Sequence, residues 1–144
     1  MSPIRFFYIE QTSVLRNRNK LKRFLENKAK EYNRNIDSLN IIFCSDEYLL
    51  NMNKDFLQHD YYTDIITFEL SEKNAPSIQA ELYISLDRVT DNATQLQVSI
   101  KQELHRVIFH GLLHLLGFKD KTKKDQDQMR SMEEQFLFDY SAYV

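Results

Sequence analysis

The chain alternates between two spacings of apolar residues, one typical of strands and the other of helices. Short β-branched and aromatic runs predict four strands, at residues 4–10, 40–45, 63–70 and 78–85. Apolar residues three and four positions apart predict four helices, at residues 17–32, 46–53, 100–116 and 123–138, with a short helix or turn at 87–93. Since no repeat or linker interrupts this order, it predicts one α+β domain over residues 1–144.

Composition supports an ordinary folded domain. The chain has 144 residues, of which 42% are hydrophobic, and it contains only 2 Gly and 2 Pro, which excludes collagen-like and Gly-rich disordered classes. No apolar run is long enough to span a membrane, and the first residues do not resemble a signal peptide, so we expect a cytoplasmic protein without membrane contact. The single Cys44 excludes an internal disulfide and a cysteine-cluster metal site.

Charge is distributed unevenly. The first 35 residues contain nine Lys and Arg against three Asp and Glu, whereas residues 36–100 contain three against eleven. This basic segment could contact nucleic-acid phosphates, or it could be the solvated face of the helix predicted at 17–32. The sequence leaves both interpretations open.

The pattern with the most chemical content lies in the helix predicted at 100–116. His110 and His114 are four residues apart, so both imidazoles lie on one face of a helix and can reach a single metal ion. Gly117 is expected to end the helix in the left-handed conformation, which lets the carboxylate of Asp120 turn back towards the same ion. Two imidazoles and a carboxylate favour one divalent transition metal, most simply Zn²⁺, with a coordination position left open. The alternative to a metal site is that both histidines are ordinary residues, packed in the core or exposed to solvent.

The spacing H-x-x-x-H-x-x-G-x-x-D is similar to the metal-binding frame of metzincin proteases, in which the last ligand is histidine. Gly111, however, occupies the position of the glutamate that serves those proteases as general base. The sequence therefore argues against a conventional zinc peptidase.

Three stretches identify a closer resemblance. The run H-G-L-L-H-L-L-G-F at 110–118 resembles the signature of the YbeY family of metal-dependent endoribonucleases, and T-D-I-I-T-F at 63–68 and A-E-L-Y-I at 80–84 resemble that family's preceding motifs in order and spacing. The resemblance implies a mixed four-stranded sheet packed with helices, in a zincin-like metal-dependent hydrolase architecture. It also implies a nuclease specific for single-stranded RNA, acting with the small ribosomal subunit in 16S ribosomal RNA maturation and ribosome quality control.

The chain departs from the family motif at two positions. Asp120 stands where the family has its third histidine, and Leu57 stands where it has an arginine suited to phosphate. His59, in the same loop, could replace that arginine, although a loop histidine often has no such role. Lys119 and Lys121 beside the metal motif could hold an RNA backbone or be solvated. His105 is off the His110 face and is expected to be a surface or packing residue.

Two other functions remain open from the sequence alone. The chain could be a non-catalytic ribosome-assembly factor whose metal stabilises the loop after Gly117, an alternative that Leu57 at the arginine position supports. It could also be a metal-dependent hydrolase of another ester or amide.

Overall fold

A four-stranded mixed sheet organises the molecule. The computed structural model describes residues 2–11, 15–58 and 61–143. Its strands are β1 (Ile4–Tyr8), β2 (Asn35–Cys44), β3 (Ile65–Glu69) and β4 (Ser77–Ser85), in the order β1-β2-β4-β3. Strands β1, β2 and β4 run parallel, and β3 runs antiparallel to β4 along the opposite edge. The expected α+β fold with a mixed four-stranded sheet is confirmed.

Five helices surround this sheet within the described residues. They are α1 (Arg18–Glu31), α2 (Asp46–Leu57), α3 (Leu86–Leu96), α4 (Ile100–Leu115) and α5 (Lys123–Ala142). Helices α1, α4 and α5 cover one face, where Phe24 contacts Phe109 and Phe136 at ring-centroid distances of 5.2 and 6.3 Å. Helix α2 covers part of the other face, over Cys44 and Ile66. None of the described helices is long and apolar enough to cross a bilayer.

Four elements differ most from the sequence prediction, of which α2 and α5 only extend four residues further, to Leu57 and Ala142. Strand β2 begins at Asn35 rather than at residue 40, because its polar first half pairs through the backbone with β4 from Ser77 onwards. The segment expected to be a short helix or turn at 87–93 is the full helix α3, capped by the Ser85 hydroxyl, which accepts a hydrogen bond from the Arg88 amide. Hydrophobic periodicity does not report either backbone pairing or capping.

Helix α4 lies directly against the sheet because Gly111 allows it. A Cβ atom at this position would lie 2.8 Å from the terminal Cδ1 carbons of Ile65 and Leu82. Glycine therefore lets the helix approach β3 and β4 more closely than alanine would permit. The residue that departs from the protease pattern thus has a packing role.

The C-terminal end of α4 has the geometry that the sequence predicts. Gly117 has φ +104°, and the amides of Gly117 and Phe118 donate to the carbonyls of His114 and Leu113, each at 3.0 Å. This pair of bonds is a Schellman motif, which satisfies the last helical carbonyls and reverses the chain. The reversal directs the following residues back towards the helix face that carries the histidines.

Candidate metal centre

Helix α4 and the loop after it bring the three predicted ligands together. Each of His110, His114 and Asp120 offers one ligand atom, and these atoms all lie within 4.8 Å of one another. The Asp120 carboxylate is 3.5 Å from Nε2 of His110 and 3.8 Å from Nε2 of His114. The two imidazoles are 4.6 Å apart between centroids and nearly perpendicular. One turn of helix separates the histidines, as their spacing predicts.

The geometry of this group suits a tetrahedral metal ion. Ligand atoms bound to zinc at about 2.05 Å in a tetrahedron are separated by about 3.3 Å. Nε2 of His110 is 3.5 Å from one carboxylate oxygen of Asp120, and Nε2 of His114 is 3.8 Å from the other, so both distances are within about half an ångström of that value. Two imidazole nitrogens and one carboxylate oxygen are also a donor set that zinc accepts. The residues therefore fit such an ion and leave a fourth position for water or substrate.

Asp120 is held in place by the segments on either side of it. The Schellman turn at Gly117 precedes it, and the Thr122–Asp125 capping box that begins α5 follows it. The side-chain amide of Gln126 also donates to the Asp120 carbonyl at 3.2 Å. These contacts fix the backbone of the loop, so the carboxylate needs little further ordering to act as a ligand.

A buried carboxylate from α5 orients the first histidine. Glu133 is only 5% exposed, and its Oε2 lies 2.5 Å from Nδ1 of His110. When Nδ1–H donates a hydrogen bond to this carboxylate, the neutral imidazole has its proton on Nδ1, and Nε2 is left free to face Asp120 as a ligand atom. Metal-binding histidines in proteins commonly have such a partner, which sets the tautomer and the ring angle. Glu133 is therefore a supporting residue of the candidate site.

Arg106 connects this carboxylate to two others. Its guanidinium binds Glu103 at 2.5 Å and Glu133 at 2.9 Å, and it lies 3.6 Å from Asp64. Asp64 also accepts a hydrogen bond from the Asn92 amide at 3.2 Å. Because several carboxylates surround one half-buried guanidinium, their charges are compensated and their positions are constrained.

The electrostatic environment affects the ionisable groups of the site in different directions. Burial, followed by the proximity of His110, lowers the pKa of His114 and so favours the neutral imidazole that binds metals. Burial would raise the pKa of Glu133, but the hydrogen bond with His110 and the charge of Arg106 bring it below its ordinary value. Burial raises the pKa of Asp64, and the opposing charges of Arg106 and His110 only partly offset that effect.

The three ligands open into a cleft of about 740 Å³ between α4, β3 and the end of α2. Leu57 and Tyr61 lie at its mouth, and the Tyr61 side chain is 56% exposed. The cleft also contains Asp64, Glu69 and Arg106. An open polar cleft with an aromatic side chain at its rim can accept a nucleotide base as well as a phosphate.

Comparison with known proteins identifies the family of this site. The family model described as endoribonuclease YbeY matches residues 8–141. The chain belongs to the endoribonuclease YbeY family. An Endoribonuclease YbeY of Cytophaga hutchinsonii is 53% identical, with 92% of each chain covered, and one of Porphyromonas gingivalis is 46% identical over 91% of this chain and 86% of its own.

A solved structure supports the same assignment at the level of the fold. The solution structure of TM1509 from Thermotoga maritima matches with a TM-score of 0.63 at 26% identity, covering 96% of this chain and 92% of that one. The resemblance to the YbeY family drawn from the sequence is therefore confirmed. The zincin-like relationship stays a prediction, because none of these matches tests it.

The proposed substrate-binding residues have different positions in this YbeY-family structure. Lys119 is exposed and lines a separate shallow groove beside Tyr32, away from the metal cleft. Lys121 is exposed on the loop before α5. His59 lies outside the described residues. Leu57 lines the cleft, so the position of the family's arginine does face the candidate site. The roles of the two lysines and of His59 stay predictions.

His105 was expected from the sequence to be either a surface or a packing residue, and the structure shows that it is a packing residue. It is 6% exposed, stacks on Phe109 and meets the Tyr140 ring edge-to-face at 4.9 Å. It lies on the core side of α4 and has no contact with the ligand group.

Sequence reasoning overlooked the residues that support the ligands. Arg106 lies four positions before His110, so helical spacing alone places it on the same face of α4. That signal was available in the sequence. Glu133 and Asp64 lie 23 and 46 positions from His110, on other elements, and no local pattern connects them to it.

Proposed function

We propose that this protein is a metal-dependent endoribonuclease that cleaves single-stranded ribosomal RNA. In this proposal it acts in the cytoplasm, with the small ribosomal subunit, in 16S ribosomal RNA maturation and ribosome quality control. Membership of the YbeY family supports endoribonuclease activity. The observation that carries the metal dependence is the group of His110, His114 and Asp120, whose ligand atoms lie within 4.8 Å of one another.

The ligand set indicates which chemistry the site can supply. A bound Zn²⁺ lowers the pKa of a coordinated water and polarises a phosphate oxygen. The residues of the chain have supporting tasks: Glu133 accepts a hydrogen bond from Nδ1 of His110, and Asp120 contributes a negative charge. With a carboxylate in place of a third imidazole, the site has a lower net charge. We therefore expect its coordinated water to be somewhat less acidic than at a three-histidine site and its metal preference to differ.

The names of the relatives favour an endoribonuclease over the two alternatives raised by the sequence, a non-catalytic assembly factor and a hydrolase of another ester or amide. None of the contacts among the described residues of the cleft favours either alternative.

Metal content and RNA cleavage, measured on the same preparations, test the proposal. Untagged protein purified without chelator is analysed by elemental mass spectrometry and then incubated with a fluorescent single-stranded RNA, with and without chelator. The variants are His114→Ala and Asp120→Asn. Asp127→Asn serves as the matched control, because this exposed carboxylate on α5 pairs only with Lys123 among the described residues.

We expect about one equivalent of transition metal and chelator-sensitive cleavage in the wild type and in Asp127→Asn, with both lost in His114→Ala. Asp120→Asn should bind metal at least tenfold more weakly, because an amide is a poorer ligand than a carboxylate, whereas Asp120→His should retain binding. Cleavage that survives in metal-free His114→Ala protein, after removal of contaminating nucleases, would refute the proposed function.

A further inference from the structure

A second large concavity lies at the opposite edge of the sheet from the metal cleft. This basic groove, of about 850 Å³, runs between the edge strand β1 and the first two turns of α1. Five cationic side chains line it: Arg5, Arg18, Lys20, Lys22 and Arg23. They are more than half of the nine Lys and Arg residues in the basic first 35 positions.

The positive charge of the basic groove is not neutralised by the protein. No acidic residue is among those that line it, and none of its five cations forms an ion pair with a carboxylate in residues 2–11, 15–58 or 61–143. Lys22 lies instead over the Phe6 ring at 5.7 Å, and Lys20 lies over the Tyr140 ring of α5 at 4.6 Å. Five uncompensated cations around one groove form a surface that attracts a polyanion.

The start of α1 adds to this imbalance. Its first turn contains Arg18 and Lys20 and no acidic residue, although the amino end of a helix already carries a partial positive charge. Cations at this end destabilise the isolated helix, and a bound anion would relieve that repulsion. The arrangement is unfavourable for folding but favourable for binding phosphate groups.

The metal cleft itself is poorly suited to hold a polyanion. Its described lining contains three acidic residues and a single cation, Arg106. Of the acids, Glu69 pairs with the buried Arg34 at 3.0 Å, whereas Asp64 and Asp120 face the cleft. Arg106 is already bound to Glu103 and Glu133. A divalent metal would offset the excess negative charge but would not reverse it. Most of the affinity for an RNA backbone must therefore come from another surface.

We infer that the basic groove is a second binding site for single-stranded RNA, which anchors the substrate while the metal cleft cleaves it. The cations would contact phosphates, and the Phe7 ring, which is 44% exposed on β1 and also lines the groove, would stack on a base. Three strand spacings of about 4.8 Å put β1 about 14 Å from β3, so only RNA longer than a few nucleotides can reach both sites.

This inference rests on the proposed function, and RNA binding can test it without cleavage. The groove variant combines Arg5→Gln, Arg18→Gln and Arg23→Gln, all exposed. The control variant combines Lys73→Gln, Lys101→Gln and Arg130→Gln, which are also exposed and without ion pairs in the described chain, so both variants lose three charges. Fluorescence anisotropy gives Kd for 30-nucleotide and 6-nucleotide single-stranded RNAs between 50 and 200 mM salt, after circular dichroism has confirmed native folding.

For the 30-nucleotide RNA, we expect the groove variant to bind about 10- to 100-fold more weakly at 0.1 M salt, with a salt slope reduced by about 2, since each lost phosphate contact contributes about 0.7 on single strands. In cleavage assays KM should rise with kcat unchanged. The 6-nucleotide RNA is long enough to contact the groove but has fewer phosphates, so it should also bind the groove variant more weakly than the control variant, by a smaller factor. Phe7→Ala should weaken binding of single-stranded RNA about tenfold and leave duplex binding unchanged.

Equal Kd values and salt slopes for the groove and control variants would overturn the inference, as would an unchanged single-strand affinity in Phe7→Ala. The inference would also be overturned if the groove variant lost binding to phosphatidylserine vesicles but retained RNA binding. The groove would then be a membrane-binding surface. If the wild type binds RNA through the groove but does not cleave it, the proposed function fails, and the groove is an RNA-binding site without the anchoring role in cleavage.

Discussion

The buried His105 should make the stability of this protein fall at mildly acidic pH. Burial lowers the pKa of His105 to about 4, and the neighbouring charges of Lys101 on α4 and Lys20 on α1 act in the same direction. Helix α5 also packs against His105, and it contributes the uncharged ring of Tyr140 there. In the unfolded chain the imidazole is exposed to water and far from these charges, so its pKa is near 6.5.

The sign and size follow from these two pKa values. Between pH 6.5 and about 4 the unfolded state binds a proton that the folded state does not, so lowering the pH favours unfolding. The contribution of His105 is fully present above pH 6.5 and is lost as the pH falls towards 4. One pKa unit corresponds to about 1.4 kcal/mol, so the free energy of unfolding should fall by about 2 kcal/mol between pH 7 and pH 4.5 from this residue alone.

Urea unfolding of the wild type and of His105→Leu at pH 7, 6, 5.2 and 4.5 measures this effect. The leucine variant cannot take up the proton, so the difference in stability between the two proteins should change by about 2 kcal/mol over that range. The other ionisable groups are the same in both proteins, so their contributions cancel in the comparison. Parallel curves of stability against pH would refute the reasoning, as would a resonance of His105 that titrates near 6.5 in the folded protein.

Three further substitutions test the support of the metal centre. Glu133→Gln should weaken zinc binding about 10- to 100-fold in competition with a chromogenic chelator, because it removes the acceptor for His110, whereas the exposed Glu134→Gln should not. Gly111→Ala should cost about 1 kcal/mol net in urea unfolding, because overpacking against Ile65 and Leu82 at 2.8 Å outweighs the gain of up to about 1 kcal/mol in helix propensity, and an unchanged or higher midpoint would contradict this packing. Gly117→Ala should cost about 1 kcal/mol from its φ of +104°, and Gly117→Asn less.

Local sequence patterns were sufficient to predict that the three candidate ligands lie together. His110, His114, Gly117 and Asp120 lie within eleven consecutive residues, and their relative positions depend only on helical spacing and on one glycine that reverses the chain. The helical phase of α4 also identified His105 as lying off the ligand face. Each of these features is determined by neighbours along the chain, so the sequence predicts it directly.

Features that join distant segments were not predictable in this way. The contact between His110 and Glu133 and the network around Arg106 depend on how α5 and the start of β3 dock against α4. The first half of β2 is polar, and only its pairing with β4 makes it a strand. A hydrophobic pattern records which face of an element is buried but not which element covers it.

The sequence by itself determined most of the elements, the family and the three candidate ligand positions, because these follow from local periodicity, turn chemistry and a short motif. Only the tertiary structure decided that Glu133 supports His110, that Lys119 faces away from the cleft, and that five cations of β1 and α1 meet in one groove. The physical reason is that side chains far apart in the chain interact only after the packing of the core has fixed the distances between their backbones.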